Sequence, residues 1–413
     1  MKIKPTSLVS LSVLVLLISC GQRDDRSWLA ESIGTAAFQL RSMADRIEAI
    51  QADTAVMPRS VDHDTIYYVG IKDWTSGFFP GSLWYGYELT GDERLKQDAR
   101  RFTDRMSGVQ NLTHTHDLGF MAFCSYGNAE RLAPESEDRE IILRTARHLA
   151  DRFDPKVGLI RSWDFGSWSY PVIIDNMMNL EILFWASRIT GNDTYKNIAI
   201  MHADKTMANH YRDDMSCYHV VSYNPQDGSV ELKCTHQGFS DSSVWARGQA
   251  WGLYGYTMCY RETGLKRYLD RAEAIARFLF THPNMPQDLI PYWDFTADNV
   301  ENEERDASAA AVICSALFEL SSLSGDRTYF DKAERILKGL SSDHYLAKRG
   351  TNHGFILMHS VGHHPEGSEV DTPINYADYY YLEALTRYVK AIGFDYSTCT
   401  GSVDCQNSTT ARL

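Results

Sequence analysis

The sequence predicts an all-α fold in which helical hairpins close on themselves as a ring, with long loops meeting at one end to form a pocket. Three observations carry this prediction. First, four segments share one grammar of helix end, Thr-Gly or Ser-Gly, and new helix: Tyr87-Glu88-Leu89-Thr90-Gly91-Asp92, Ser187-Arg188-Ile189-Thr190-Gly191-Asn192, Arg261-Glu262-Thr263-Gly264-Leu265 and Ser322-Leu323-Ser324-Gly325-Asp326. Glycine just past a helix suits the left-handed C′ position, and Asp or Asn beside it caps the helix that follows, so each segment reads as an αα-hairpin. Second, the flanking stretches show helical spacing, with Leu95, Ala99, Phe102 and Met106 after Gly91 and Tyr268, Ala272, Ile275, Ala276 and Leu279 after Gly264. Third, strand signals are few. The best is Tyr218-His219-Val220-Val221-Ser222-Tyr223 before the turn residues Asn224 to Gly228, a short β-hairpin inside a loop. The turn glycines are too far apart and too uneven for repeats of about 34 residues, which favours a closed ring over an open solenoid.

Composition agrees with a large folded core. The chain has 413 residues, 44% hydrophobic and 23% charged, which excludes disorder. A net charge of −13 lacks the basic footprint of a nucleic-acid binder. Aromatic residues reach 12%, enough for an aromatic interior or for faces on which sugar rings stack.

Taken in chain order, the first element is an address. Lys2 and Lys4 precede a largely apolar run from Leu8 to Ile18 that stops at Ser19-Cys20, a signal-peptide pattern too short for a permanent membrane span. Leu17-Ile18-Ser19-Cys20-Gly21 resembles a bacterial lipobox. That resemblance implies a lipoprotein signal peptide over 1–19, lipidation at Cys20, a tether over 20–26, and residence in the cell envelope, periplasmic or on the outer-membrane surface, with the lipid as the one membrane contact. An ordinary signal peptide with an incidental Cys20 is the alternative. Residues 27–393 read as one domain without a Pro/Ser-rich linker, and 394–413 as a polar C-terminal tail. Cys399 and Cys405 are spaced to pair in an oxidising compartment, and the five remaining cysteines beyond Cys20 sit in apolar or aromatic settings that suit buried thiols. Amphipathic helices are expected from Arg139 to Phe153 and from Ala377 to Ile392.

Loops between the helices are richer in Trp, Gly, His and Asp than solubility requires. Trp74-Thr75-Ser76-Gly77-Phe78-Phe79-Pro80-Gly81 is an aromatic turn entering the helix of Trp84, read as a stacking surface or as a core-facing helix entry. His114-Thr115-His116-Asp117 precedes a helix that Asp117 would cap if it has no chemical role; no further ligand pattern accompanies it, so no metal is expected. Asp175 follows Tyr170-Pro171-Val172-Ile173-Ile174, an apolar setting that would raise a carboxyl pKa and keep it protonated for general-acid work, with capping again the alternative. The run Thr235 to Trp251 has too many polar and aromatic groups to be core alone. Within it, Arg247 offers a partner for a carboxylate and Trp245 and Trp251 offer stacking faces. The sum suggests a pocket for an acidic sugar.

These residues resemble the unsaturated glucuronyl hydrolases of glycoside hydrolase family 88, over roughly residues 70 to 385. The likeness rests on the Trp74 loop, His116-Asp117-Leu118-Gly119-Phe120, Asp175-Asn176, the long run from Gln237 to Trp251 and Tyr376-Ala377-Asp378-Tyr379-Tyr380. It implies an (α/α)6 barrel as the catalytic domain, and a substrate that composition alone does not name: the 4,5-unsaturated uronic acid left at a non-reducing end when a polysaccharide lyase cuts. A C4=C5 bond conjugated to the ring oxygen is a vinyl ether, which reacts by protonation at carbon, so hydration precedes loss of the remaining saccharide. The resemblance implies Asp175 as the general acid/base and Asp117 as the second carboxylate, which would hold sugar hydroxyls and keep Asp175 protonated by like-charge repulsion. It implies Trp74, His116, His219, Gln237, Trp245, Arg247 and Trp251 as substrate-binding residues, no cofactor, and a polysaccharide lyase acting upstream. One departure concerns sulfate. Sulfate-preferring members carry a Ser/Lys string before the last aromatic motif, whereas this chain reads His363-His364-Pro365-Glu366-Gly367-Ser368-Glu369-Val370-Asp371, without a cation and with two Glu that would repel an anion. Chondroitin, hyaluronan, heparin and ulvan fragments all stay open as donors. Three rivals remain: an unsaturated rhamnogalacturonyl hydrolase, an inverting glycosidase on saturated sugars with its carboxyl groups about 6.5–9.5 Å apart, and a non-catalytic surface lipoprotein that captures acidic glycans.

Overall fold

Gly91, Gly191, Gly264 and Gly325 all take positive φ, at 69, 69, 66 and 76°, immediately past a helix. Asp92, Asn192 and Asp326 then cap the next helix by accepting the backbone N–H of Arg94, Thr194 and Thr328. The turn grammar is therefore local chemistry that stops one helix and starts another. The computed structural model describes residues 26–50 and 56–399; the leader, Cys20, the tether up to residue 25, and the tail beyond 399 with the Cys405 end of the expected pair lie outside the described residues.

Among the described residues the ring is made of six outer–inner helix pairs in chain order, and four of the turns from an inner helix to the next outer one are the short glycine hairpins. The pairs are α1 (Ser27–Ala49) with α2 (Phe78–Thr90), α3 (Glu93–Asp104) with α4 (Asn128–Leu132), α5 (Ser136–Asp151) with α6 (Glu181–Thr190), α7 (Asp193–Asn209) with α8 (Ala246–Thr263), α9 (Lys266–Thr281) with α10 (Ala307–Ser324), and α11 (Arg327–Leu340) with α12 (Asn375–Ile392). A π-helical segment, Gly119–Gly127, extends α4, and a 3₁₀ segment, Ile174–Leu180, leads into α6. Inner elements touch in order around the ring, and α12 packs back on α2 to close it. The chain is an (α/α)6 barrel. Leu95, Ala99, Phe102 and Met106 are fully buried on one side, as are Tyr268, Ala272, Ile275, Ala276 and Leu279. Helix α10 is apolar all round because it is enclosed by the inner helices α8 and α12 and by the outer helix α11. Cys124, Cys217, Cys234, Cys259 and Cys314 are free and buried.

The short glycine turns follow the C-terminal ends of inner helices, so the long connections that enter inner helices gather at the other end. There, β1 (Met57–Asp62) pairs with β2 (Thr65–Val69), β3 (Phe153–Asp154) with β4 (Leu159–Ile160), and β5 (Pro171–Ile173), β6 (Val220–Tyr223) and β7 (Val230–Cys234) form a three-stranded antiparallel sheet with β6 central. The expected hairpin is β6–β7. It starts at Val220 rather than Tyr218, because the Tyr218 N–H donates to the His210 carbonyl instead of a strand.

Candidate active site

Strand pairing builds the centre of the site. Ile173 lies opposite Val220, and the Ile174 N–H donates to the His219 carbonyl at 3.1 Å, which sets Asp175 beside His219 with Oδ2 to Nε2 3.7 Å. Nδ1 of His219 accepts two backbone N–H groups, from His236 and Gln237, each at 3.1 Å. A neutral imidazole whose Nδ1 is an acceptor carries its proton on Nε2, which here faces the Asp175 carboxyl. Burial, with His236 and Arg247 nearby, holds His219 well below its ordinary 6.5, so the neutral ring prevails.

Asp175 is 7% exposed and caps nothing; it lies inside the first turn of the 3₁₀ segment and its Oδ2 has no hydrogen-bond partner. Burial raises its pKa to about 7, the Asp117 charge adds to the rise, and Arg247 and the Trp251 indole oppose it. This carboxyl exchanges a proton near neutrality. Asp117 does not cap its helix either. Its Oδ2 accepts the Thr115 hydroxyl at 2.6 Å, and its Oδ1 lies 3.3 Å from Nε2 of the fully buried His116.

Arg247, at the start of α8, is 1% exposed and already occupied. Its terminal nitrogens donate to the Val361 and Gly362 carbonyls, Asp306 lies 3.4 Å away, and the guanidinium sits over the rings of Trp245 and Tyr376. It therefore ties α8 to the loop before α12 and lends Asp175 a positive neighbour. Trp245 packs on His219 at 4.6 Å, and Trp251 contacts Phe120 at 5.3 Å. Trp74 joins this cluster through Tyr376 at 5.1 Å and Phe120 at 5.5 Å.

A cavity of about 330 Å³ opens among the long loops. Trp74, Asp117 and Gln237 are on its wall; Asp175, His116, His219, Trp245, Arg247 and Trp251 form the buried layer behind it. A larger cavity, about 410 Å³, lies toward the glycine-turn end and contains none of these groups.

The wall also holds residues that sequence reasoning passed over. Arg59 on β1 makes a two-pronged contact with Glu369, at 2.7 and 2.9 Å, and reaches Asp73 at 2.9 Å. Glu369 is thus neutralised, and its repulsion of an anion, expected from the loop sequence, falls away. Lys72 is exposed and also lines the cavity. His236, His363 and Trp163 complete one side, and their only sequence signal was membership of polar-aromatic loops.

The family model for Glycosyl Hydrolase Family 88 matches residues 47–392. The chain belongs to this family. An unsaturated glucuronyl hydrolase of Formosa agariphila is 44% identical, with 86% of this chain and 90% of the relative covered. An unsaturated chondroitin disaccharide hydrolase of Streptococcus pneumoniae is 33% identical over 87% of this chain and 92% of its own length. Among solved structures, an unsaturated glucuronyl hydrolase specific for heparin superposes with a TM-score of 0.87 at 52% identity, covering 90% of this chain and 99% of that one. The family 88 assignment and the (α/α)6 ring agree with the resemblance read from Gln237 to Trp251.

Proposed function

We propose that this family 88 hydrolase releases the 4,5-unsaturated uronic acid from the non-reducing end of lyase-generated oligosaccharides of glycosaminoglycan or ulvan type. One observation carries the chemistry: Asp175, buried behind the cavity, has a pKa of about 7 and so holds a transferable proton at neutral pH. It delivers that proton to C4 of the vinyl ether, and the ring oxygen stabilises the cation at C5. The resulting carboxylate takes a proton from the water that adds at C5. The hemiketal so formed opens to a ketone at C5, and the aglycone leaves from C1 as the free saccharide. Acid/base assistance of this kind contributes about 10²–10⁴ in rate.

The surrounding residues have matching tasks. Nε2–H of His219 steadies the Asp175 carboxylate after it gives up its proton. Asp117 orients sugar hydroxyls and, by its charge, holds the Asp175 proton in place. Trp74 offers a ring face, Gln237 a polar contact, and Lys72 a positive charge for a uronate. His116 fixes Asp117, Trp245 fixes His219, and Arg247 with Trp251 tunes Asp175. In the cell the enzyme is anchored in the envelope through lipidated Cys20, downstream of a polysaccharide lyase.

The test uses the mature protein with unsaturated disaccharides from chondroitin, hyaluronan, heparin, ulvan and pectin lyases, following loss of the near-ultraviolet absorbance of C4=C5. Loss on the uronate substrates supports the reading, and their ranking names the polymer. Turnover confined to the pectin product would make the enzyme a rhamnogalacturonyl hydrolase, and no loss on any substrate sinks the proposal.

A further inference from the structure

Two histidines on the cavity wall, His236 and His363, converge with the exposed Glu366 beside them, and none has a task in the reaction above. Nε2 of His236 and Nε2 of His363 face each other at 3.4 Å, and Oε1 of Glu366 lies 3.7 Å from the latter. One ligating atom from each lies within 4.8 Å of the other two. The two histidines come from loops far apart in sequence, and both are held in position. The His236 ring is walled by Trp163 and Trp168, at 5.3 and 5.9 Å, and the His236 backbone N–H donates to Nδ1 of His219. His363 is fixed by its N–H to the Ser368 carbonyl at 2.9 Å, and it turns an unpartnered Nδ1 into the protein and Nε2 toward His236. Gln237 Nε2, donating to Gly362 at 3.2 Å, bridges the same two loops.

We propose that His236, His363 and Glu366 form a binding site for one borderline transition-metal ion, Zn²⁺ above all, and that its occupation reversibly blocks the cavity. Two imidazole nitrogens and one carboxylate oxygen leave the fourth tetrahedral position to water, a donor set that suits Zn²⁺ and not Mg²⁺ or Ca²⁺, which take oxygen ligands. An ion there clamps the loop of Gln237 to the loop of Gly362 and stands where the sugar enters. A neighbouring group, Glu303, Glu304 and His364, also clusters, but its atoms are engaged: His364 bonds Glu304 at 3.1 Å and stacks on Trp293 at 4.1 Å, and the Trp293 indole donates to Glu303 at 2.6 Å.

Metal binding is read separately from turnover, so only the inhibitory consequence rests on the proposed reaction. The intact protein is titrated calorimetrically with ZnCl₂ in a non-coordinating buffer, and Co²⁺ absorption reports the ligand geometry. One equivalent of Zn²⁺ is expected, weakened about tenfold or more by His363→Ala and by Glu366→Gln and unchanged by His364→Ala. Glu366 is exposed, so its variant keeps the fold. Zn²⁺ is expected to inhibit turnover in a way that substrate and chelator relieve. Binding lost in His364→Ala but kept in His363→Ala places the ion on the neighbouring group and overturns the proposal, as does the absence of binding at millimolar Zn²⁺. Unchanged turnover at saturating Zn²⁺ overturns the blocking role.

Discussion

Asp175→Asn separates the chemistry of the site from its cost to stability. The carboxyl's ordinary pKa is 3.8 and its folded value about 7, so the folded chain binds this proton more tightly than the unfolded chain. Between those two values stability falls as pH rises, because folding then requires an anion to stay in an apolar setting. At 1.36 kcal/mol per pH unit the full cost is about 4 kcal/mol, absent below pH 3.8 and complete above about 7. At about pH 5 roughly 1.6 kcal/mol of it is present. Asn keeps the shape and removes the charge. Urea unfolding of both proteins at about pH 5 and about pH 8.5 should therefore show the variant gaining about 2–3 kcal/mol on the parent between the two conditions. Turnover should drop by at least about 10²-fold at both. A stability difference that is the same at both pH values would mean that Asp175 titrates as an ordinary carboxyl, and the general-acid argument would fall with it.

Other expectations follow from the same geometry. Asp117→Asn removes the like charge that helps raise Asp175, so the alkaline fall of the kcat–pH profile should move to lower pH; an unmoved limb would break the electrostatic link. Asp378→Ala strips the acceptor from the buried N–H groups of Ile356 and Leu357, at 2.9 and 2.8 Å, and should cost about 2–5 kcal/mol in chemical denaturation while leaving that limb where it is. Gly77→Ala would put a Cβ 2.3 Å from the carbonyl oxygens of Phe120 and Met121, so a loss of soluble yield, or of roughly 3 kcal/mol or more, is expected on expression and melting. Cys20→Ser should move the protein from the membrane fraction to the soluble fraction and abolish palmitate labelling.

What could be read from the chain was local. Thr-Gly or Ser-Gly before Asp or Asn stops a helix and caps the next through atoms two residues apart, which is why the positions of Gly91, Gly191 and Gly325 were legible. The β1–β2 hairpin was not, because its turn places His63 and Asp64 at positive φ, 46 and 59°, where a glycine would have announced it. Arg59 was missed with that hairpin. Asp175 was visible as an acid after an apolar run, but the sequence left capping open; only β5–β6 pairing sets it against His219 instead of a helix N-terminus. Arg247 shows the limit of charge-based reading. Its carbonyl partners Val361 and Gly362 are far along the chain, so a cation that looked free for substrate is committed to the fold.

Because the ring closes through α12 onto α2, the last inner helix to leave the ribosome is also the keystone of the lumen. Tyr376, Tyr379 and Tyr380 arrive with it and pack on Trp74, Phe78 and Trp251, residues made long before. Until they dock, the dry environment that sets the Asp175 proton does not exist, so a nascent chain is chemically silent however many hairpins it has completed. An enzyme assembled in this order can be synthesised without acting on sugars along the way, and a truncation before α12 leaves a scaffold rather than a slower catalyst.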